Sequence, residues 1–261
     1  MKHRTYINSI TVIFIMIFIA FCFMIFIATN AKAFTCGNHT KHGITSPNDL
    51  VELCREGYAV GYSTEKKIPD WVSYYITANE VARKFERSND FRPDMELPID
   101  QQAQLADYRG SGYDRGHMAP SATMDATQNR MSESFLLTNM TPQLPEFNRQ
   151  GWKLLEHFIR ELVAKRGELV IITGVICAKP YTTIGNGVVV PDYFYKIIFD
   201  PVKIEAMAFL VPHMRIKESQ FKQFIVSVDT IEKLTGIDFF SELSSMVEII
   251  MESTPAENLY K

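Results

Sequence analysis

Residues 151–177, GWKLLEHFIRELVAKRGELVIITGVIC, read as a helix, a stop and a buried strand in immediate succession. Trp152, Leu155, Ile159, Leu162 and Val163 fall at spacings of three, four, three and one, which gathers them into a single apolar stripe on a helix over Gly151–Lys165. Gly167 then supplies the residue type that ends helices, because it enters the left-handed conformation without steric cost. Leu169–Cys177 is short, apolar and rich in β-branched residues, the composition of a buried strand.

Downstream, Val188–Val190, Tyr193–Phe199 and Ile204–Val211 look like further strands joined by Pro- and Asp-containing turns, and with Leu169–Cys177 they are expected to form the sheet. Glu218–Leu234 resumes helical periodicity and stops at Gly236, after which Phe239 and Phe240 are expected to dock on the core. Upstream, Trp71–Ala78 (WVSYYITA) reads as a strand, and residues 79–110 as a long, loop-rich approach. No repeat, low-complexity tract or Gly/Ser-rich linker divides residues 34–261, so they are expected to form one domain. The predicted class is α+β, a mixed and mainly antiparallel sheet flanked by helices.

The segment that carries chemistry is Asp107–Pro120, DYRGSGYDRGHMAP, with Thr138–Gln143 (TNMTPQ) and Asn148–Glu156 (NRQGWKLLE) behind it. Hydrolysis of a phosphodiester needs a water deprotonated in line with the leaving oxygen, and a histidine with an ordinary pKa near ~6.5 accepts that proton at neutral pH. His117 suits this role. A divalent cation polarises the phosphate and offsets charge on the leaving oxygen. Magnesium keeps much of its water and needs few protein ligands, so the lack of a dense acidic cluster here does not count against metal catalysis.

These blocks resemble the DNA/RNA non-specific endonuclease family, the ββα-metal or His-Me finger nucleases, in which a DRGH core, an NxTPQ block and an N-x3-W-x3-E helix start occur in this order. The likeness extends through WVSYYI, VPDYFYK and IEKLTGIDFF, roughly the whole chain after residue 33. It implies a ββα-metal finger site and an endonuclease that cuts DNA and RNA without strong sequence preference, leaving 5′-phosphate and 3′-hydroxyl ends. It implies Mg2+ as cofactor, with Mn2+ able to substitute, and homodimers are common in the family. By the same resemblance Asn148 is the direct metal ligand and Glu156 bonds the metal's water shell. Asn139 fixes the site through polar contacts, while Arg115 and Arg87 contact the scissile phosphate. Asn148 and Glu156 are eight residues apart, about two turns plus 80° on a helix of about 3.6 residues per turn, so they face roughly the same side.

Each of these residues also has a plainer reading. Asn148 sits where an N-cap belongs. Glu156 suits a solvated helix acid, and Asp114 a structural partner of Arg115. Gly110, Gly112 and Gly116 allow tight turns near the phosphate. Trp152 belongs to the apolar stripe and reads as core.

The apolar content of 46% is that of an ordinary globular protein, and nothing in the composition suggests disorder or collagen. Lys2, His3 and Arg4 precede an apolar run from Ile10 to Ala28, and Ala31-Lys32-Ala33 offers a signal-peptidase site, so residues 1–33 read as a signal peptide. An uncleaved anchor is the alternative, since the run approaches membrane-spanning length. Either way the folded part is expected outside the cytoplasm, periplasmic or secreted, and without stable membrane association once cleaved. Removing residues 1–33 takes away Lys2, Arg4 and Lys32 and no acid, so the formal charge moves from −3 to −6. That acidity argues mildly against a nucleic-acid partner, but Arg87, Arg92, Arg109, Arg115, Arg130, Arg149 and Lys153 cluster in sequence around the motif.

Of the four cysteines, Cys22 leaves with the signal segment, and Cys177 reads as a buried thiol. Cys36 and Cys54 suit a disulfide in an oxidising compartment. With His39 and His42 they also suit a zinc site. Two rival functions follow: a structural zinc protein, or a nucleic-acid-binding module of the same fold that has lost catalysis. The second would carry a substituted histidine or asparagine, and both are present.

Overall fold

The computed structural model describes residues 34–47 and 49–256; the signal-peptide or anchor reading falls on residues 1–33, outside the described residues. In chain order the strands that matter for the site are β1 (Leu50–Cys54), β2 (Ala59–Ser63), β3 (Ile68–Thr77), β4 (Asp114–His117) and β5 (Met140–Gln143). Helix α1 (Lys153–Arg166) follows, then β6 (Glu168–Ile176), β7 (Tyr193–Asp200), β8 (Glu205–Pro212) and β9 (Ile225–Val226). Helices α2 (Val228–Thr235) and α3 (Ser245–Ser253) come last.

Seven strands make one sheet in the order β9-β8-β7-β6-β3-β2-β1, and every neighbouring pair is antiparallel. Both faces are covered, which is why the central strands read as continuous apolar runs instead of alternating ones. Because side chains alternate along a strand, Phe194 and Ile198 of β7 join the face packed by Leu155, Ile159, Leu162 and Val163 of α1. Tyr195, Ile197 and Phe199 join the opposite face, closed by Val228 and Ile231 of α2, by Phe239 and Phe240 between the two helices, and by Met251 of α3. The stripe that marked α1 in the sequence is therefore its sheet-facing side, and Trp152 is fully buried with it.

Several expectations are corrected. The periodicity predicts one helix over 218–234, but the chain makes a 3-10 turn at Glu218–Phe224, pairs Ile225 and Val226 with β8, and restarts as α2. The cause is local: two β-branched residues reach the sheet edge, and the Ser227 hydroxyl caps the new helix by accepting from Thr230 N–H at 3.2 Å. Val188–Val189 pairs with Thr183–Ile184 in a separate small hairpin, outside the main sheet. The strand expected at 71–78 begins at Ile68 and ends at Thr77, whose N–H and hydroxyl both donate to Glu80 to start a short helix. Strands β1 and β2 escaped the sequence reading. Gly61 of β2 explains part of that: a Cβ there would lie 2.1 Å from the Trp71 indole nitrogen, so the strand gives up a side chain to seat the tryptophan.

Cys36 and Cys54 form a disulfide with Cα atoms 5.6 Å apart. Sulfurs bonded to each other are no longer thiolate ligands, and His39 spends Nδ1 on Tyr75 N–H and Nε2 on the Glu56 carbonyl, so the zinc reading is set aside. Cys177 is half-buried, and burial pushes its thiol up to about 12.

Candidate active site

Strands β4 and β5 form an antiparallel hairpin in the register Asp114↔Gln143, Arg115↔Pro142, Gly116↔Thr141 and His117↔Met140. Gly116 is required by the packing: a Cβ would lie 2.0 Å from the Gln143 amide carbon, and Gln143 is fully buried. A single π-helical turn, Phe147–Trp152, then runs straight into α1. Hairpin, turn and helix bring Arg115, His117, Asn148 and Glu156 onto one cleft of about 410 Å³, which Arg87 and Ser121 also line. Five of the six site residues read from the sequence thus meet there. Arg149, Lys153 and Arg160 complete its basic wall. A larger hollow of about 540 Å³ lies beside the disulfide, but its Arg55 is paired with Asp94 and Glu96 and its Arg130 with Glu80. The smaller cleft is where convergent, chemically competent groups meet.

The imidazole of His117 stands edge-on to two phenylalanines, Phe135 at 5.0 Å and Phe91 at 5.7 Å between ring centres. Its Nε2 is shut off from solvent and has no hydrogen-bond partner among the described residues. Burial, followed by the charges of Arg87 and Arg115, pushes the ring down to about 3. The histidine is therefore neutral at neutral pH, free to accept a proton but a weaker base than the ordinary imidazole assumed from the sequence. The same two phenylalanines carry the arginines, with the Arg115 guanidinium 4.0 Å above Phe91 and that of Arg87 4.8 Å above Phe135. Arg87 also donates to Asn89 Oδ1 at 2.7 Å and to the Ser121 hydroxyl.

Asn148 lies inside the π turn, whose preceding residue is Glu146, while α1 begins after Trp152; it is not the cap of α1. Its Nδ2 donates to Asp114 Oδ2 at 2.9 Å. Asp114 also receives Arg149 through two bonds of 2.6 and 2.8 Å, so its partner is Arg149 and not the adjacent Arg115. Burial raises the Asp114 carboxyl, but its bonds to Arg149 and Asn148 outweigh that and hold it below the usual carboxylate range. A carboxamide anchored by its nitrogen keeps its oxygen available to a ligand.

Glu156 faces the cleft one helix segment on, with no hydrogen bond to its carboxylate among the described residues. Burial raises it, opposed by the charges of Lys196, Arg160 and Lys153. Lys196 on β7 went unnoticed in the sequence. It is fully buried, donates to Thr173 Oγ1 at 2.7 Å and lies 4.7 Å above the Trp152 ring; burial pushes its ammonium down to about 8 against the pull of Glu156. A lysine in the middle of the apolar run YFYKIIF was the available signal.

Asn139 is 0% exposed and does not line the cleft. Its Oδ1 accepts from Ala119 N–H at 2.8 Å, and its Nδ2 donates to the carbonyls of Ala119 at 3.0 Å and Ser134 at 2.8 Å. Its amide thus clamps the chain two residues past His117. His213, also missed, supports the other side: it accepts Leu144 N–H at 2.8 Å and bonds the Pro191 carbonyl at 2.8 Å through Nδ1. Of the three remaining arginines grouped around the motif in sequence, Arg92 sits on Asp90 and Arg130 on Glu80, while Arg109 lines a separate hollow with Asp114 and Arg115.

Comparison with known proteins shows the family and the fold. The family model for DNA/RNA non-specific endonucleases matches residues 36–246. Nuclease C1 of Cunninghamella echinulata var. echinulata is 33% identical over 213 residues, covering 75% of this chain and 84% of its own. A nuclease of Nostoc sp. is 34% identical over 221 residues, 78% of each chain. The fold matches the crystal structure of an EndoG/EndoGI complex with a TM-score of 0.73 at 30% identity, over 80% of this chain and 92% of that one. With the family model matching nearly all of the described residues, and curated nucleases more than 30% identical over three quarters of the chain, the chain belongs to the DNA/RNA non-specific endonuclease family.

Proposed function

We propose that this nuclease is an exported, Mg2+-dependent endonuclease that hydrolyses DNA and RNA with little sequence preference and leaves 5′-phosphate ends. The observation that carries the reading is the convergence on one cleft of a neutral, half-buried histidine, an anchored carboxamide, and Arg87 and Arg115, neither with a carboxylate partner among the described residues. His117 takes the proton of the attacking water. Arg115 and Arg87, stacked on phenylalanine faces that fix their direction, bind the phosphate oxygens as negative charge builds on them. Asn139 and Asp114 act at one remove, the first holding the loop after His117 and the second the amide of Asn148.

The donor set fits a hard cation. The Asn148 carboxamide oxygen would hold it directly and the Glu156 carboxylate would bond its water shell, both being oxygen donors of the kind Mg2+ takes while keeping several waters. When bound, the ion supplies Lewis-acid stabilisation of the leaving 3′ oxygen. Contacts made mainly to phosphates carry no base information, which accounts for action on many sequences. The Cys36–Cys54 disulfide supports export to an oxidising compartment.

The test is a digestion assay on single- and double-stranded DNA and RNA with end-group analysis. Cleavage is expected with magnesium or manganese and none in chelator. Asn148→Ala is expected to raise the magnesium concentration needed for half-maximal activity by about 10–100-fold with an unchanged melt. A lowered melt with an unchanged magnesium titration would give Asn148 a structural role only.

A further inference from the structure

Far along the chain from the cleft residues, Asp229 and Glu232 of α2 and Glu252 of α3 bring one carboxylate oxygen each to within 4.8 Å of one another. The first two are three residues apart and share a helix face. Glu252 is only 4% exposed, and its Oε1 is buried with no hydrogen-bond partner among the described residues. Among the described residues little neutralises the group. Phe239 N–H donates to Glu232 Oε1 at 2.8 Å, and Lys233 stands 3.6 Å from Asp229 but is 78% exposed. Asp238 and Glu248 add further negative charge.

Burying a carboxylate without a partner is expensive, and three acids at this separation repel. Such an arrangement persists when something positive or a proton is shared among them. We propose that Asp229, Glu232 and Glu252 form a calcium site, separate from the catalytic cleft, that ties α3 to α2. All three donors are hard oxygens from flexible carboxylates, and Ca2+ accepts six to eight such ligands, taking the remainder as water and backbone carbonyls. Magnesium demands a tighter octahedron and is the poorer match.

The experiment is thermal melting of the purified protein, first stripped with chelator, then with about 10 mM CaCl2 or MgCl2, for the parent, Asn148→Ala and the Asp229→Asn/Glu252→Gln double variant. Asn148→Ala removes the cleft ligand, so any calcium effect it keeps arises elsewhere. With the affinity of about 10⁻⁴–10⁻³ M common to extracellular calcium modules, Tm is expected to rise by about 3–8 °C in the parent and in Asn148→Ala. The double variant is expected to shift by less than about 1 °C. An equal rise in the double variant, or no rise in the parent, overturns the proposal. So does a double variant that melts above the parent in chelator while calcium leaves the parent unmoved, because the acids then merely share a proton.

Discussion

The cleft and the α2–α3 corner are opposites built by one means. In the cleft, burial and two arginines drive His117 toward its neutral base; in the corner, burial and crowded acids drive Glu232 and Glu252 toward their neutral acids. One region gathers cationic side chains toward an anion that arrives from outside, and the other gathers acidic ones. A formal charge of −3 averages the two and conceals both. The pairing teaches that the sign of the whole chain says little about the partner of a site.

The sharpest way to separate the regions is by catalysis. His117→Ala is expected to lower kcat/KM by about 10²–10⁴-fold under fixed metal, while Glu252→Gln changes it less than about two-fold. Equal losses in the two variants would mean that the corner is part of the catalytic machinery. Next in size is Asn139→Ala, which strands buried backbone groups of Ala119 and Ser134 and is expected to cost about 3 kcal/mol in denaturant unfolding. A loss under ~0.5 kcal/mol would show that water replaces the amide.

The two regions also answer pH in opposite directions. His117 has a folded pKa depressed from 6.5 to about 3, so its stability cost appears as pH falls below 6.5; Glu252 is raised from 4.5 to about 9, so its cost grows as pH rises from 4.5. For the enzyme, kcat/KM is expected to lack a protonation step near 6.5 between pH 8 and 5. A decline centred there would mean that the imidazole is as open to water as a free histidine. The smallest effect expected is in salt dependence: Lys153→Ala should reduce the slope of log affinity against log salt on duplex DNA by about 0.9, one phosphate contact's worth. An unchanged slope would take Lys153 out of the phosphate track.

What could be read from the sequence was what short spacing encodes. Arg115 and His117 are two apart on a strand and so share a face, and Asn148 and Glu156 lie on one helical run, so motif and periodicity reached them together. Arg87, nearly thirty residues earlier on a loop, rested on likeness alone. The Asp114–Arg149 pair, Lys196 beneath Glu156 and His213 beneath Leu144 join segments that only the folded sheet makes neighbours. The broken helix at 218–234 failed differently: an apolar pattern fits helix and edge strand alike when two β-branched residues and a capping serine fall in its middle. The disulfide had a zinc competitor because the same residue types serve both.

The π turn at Phe147–Trp152 limits how this chain can change length. It holds one residue more than an α-helical turn would, with Asn148 inside it and Glu156 in the helix that follows. Losing a residue there would let the helix run on unbroken, with Leu155, Ile159 and Leu162 still seated on the sheet, while Asn148 swings by about 100° relative to Glu156. Such a shortened chain is expected to keep α1 on the sheet and to lose cleavage, which a digestion assay beside a thermal melt would show.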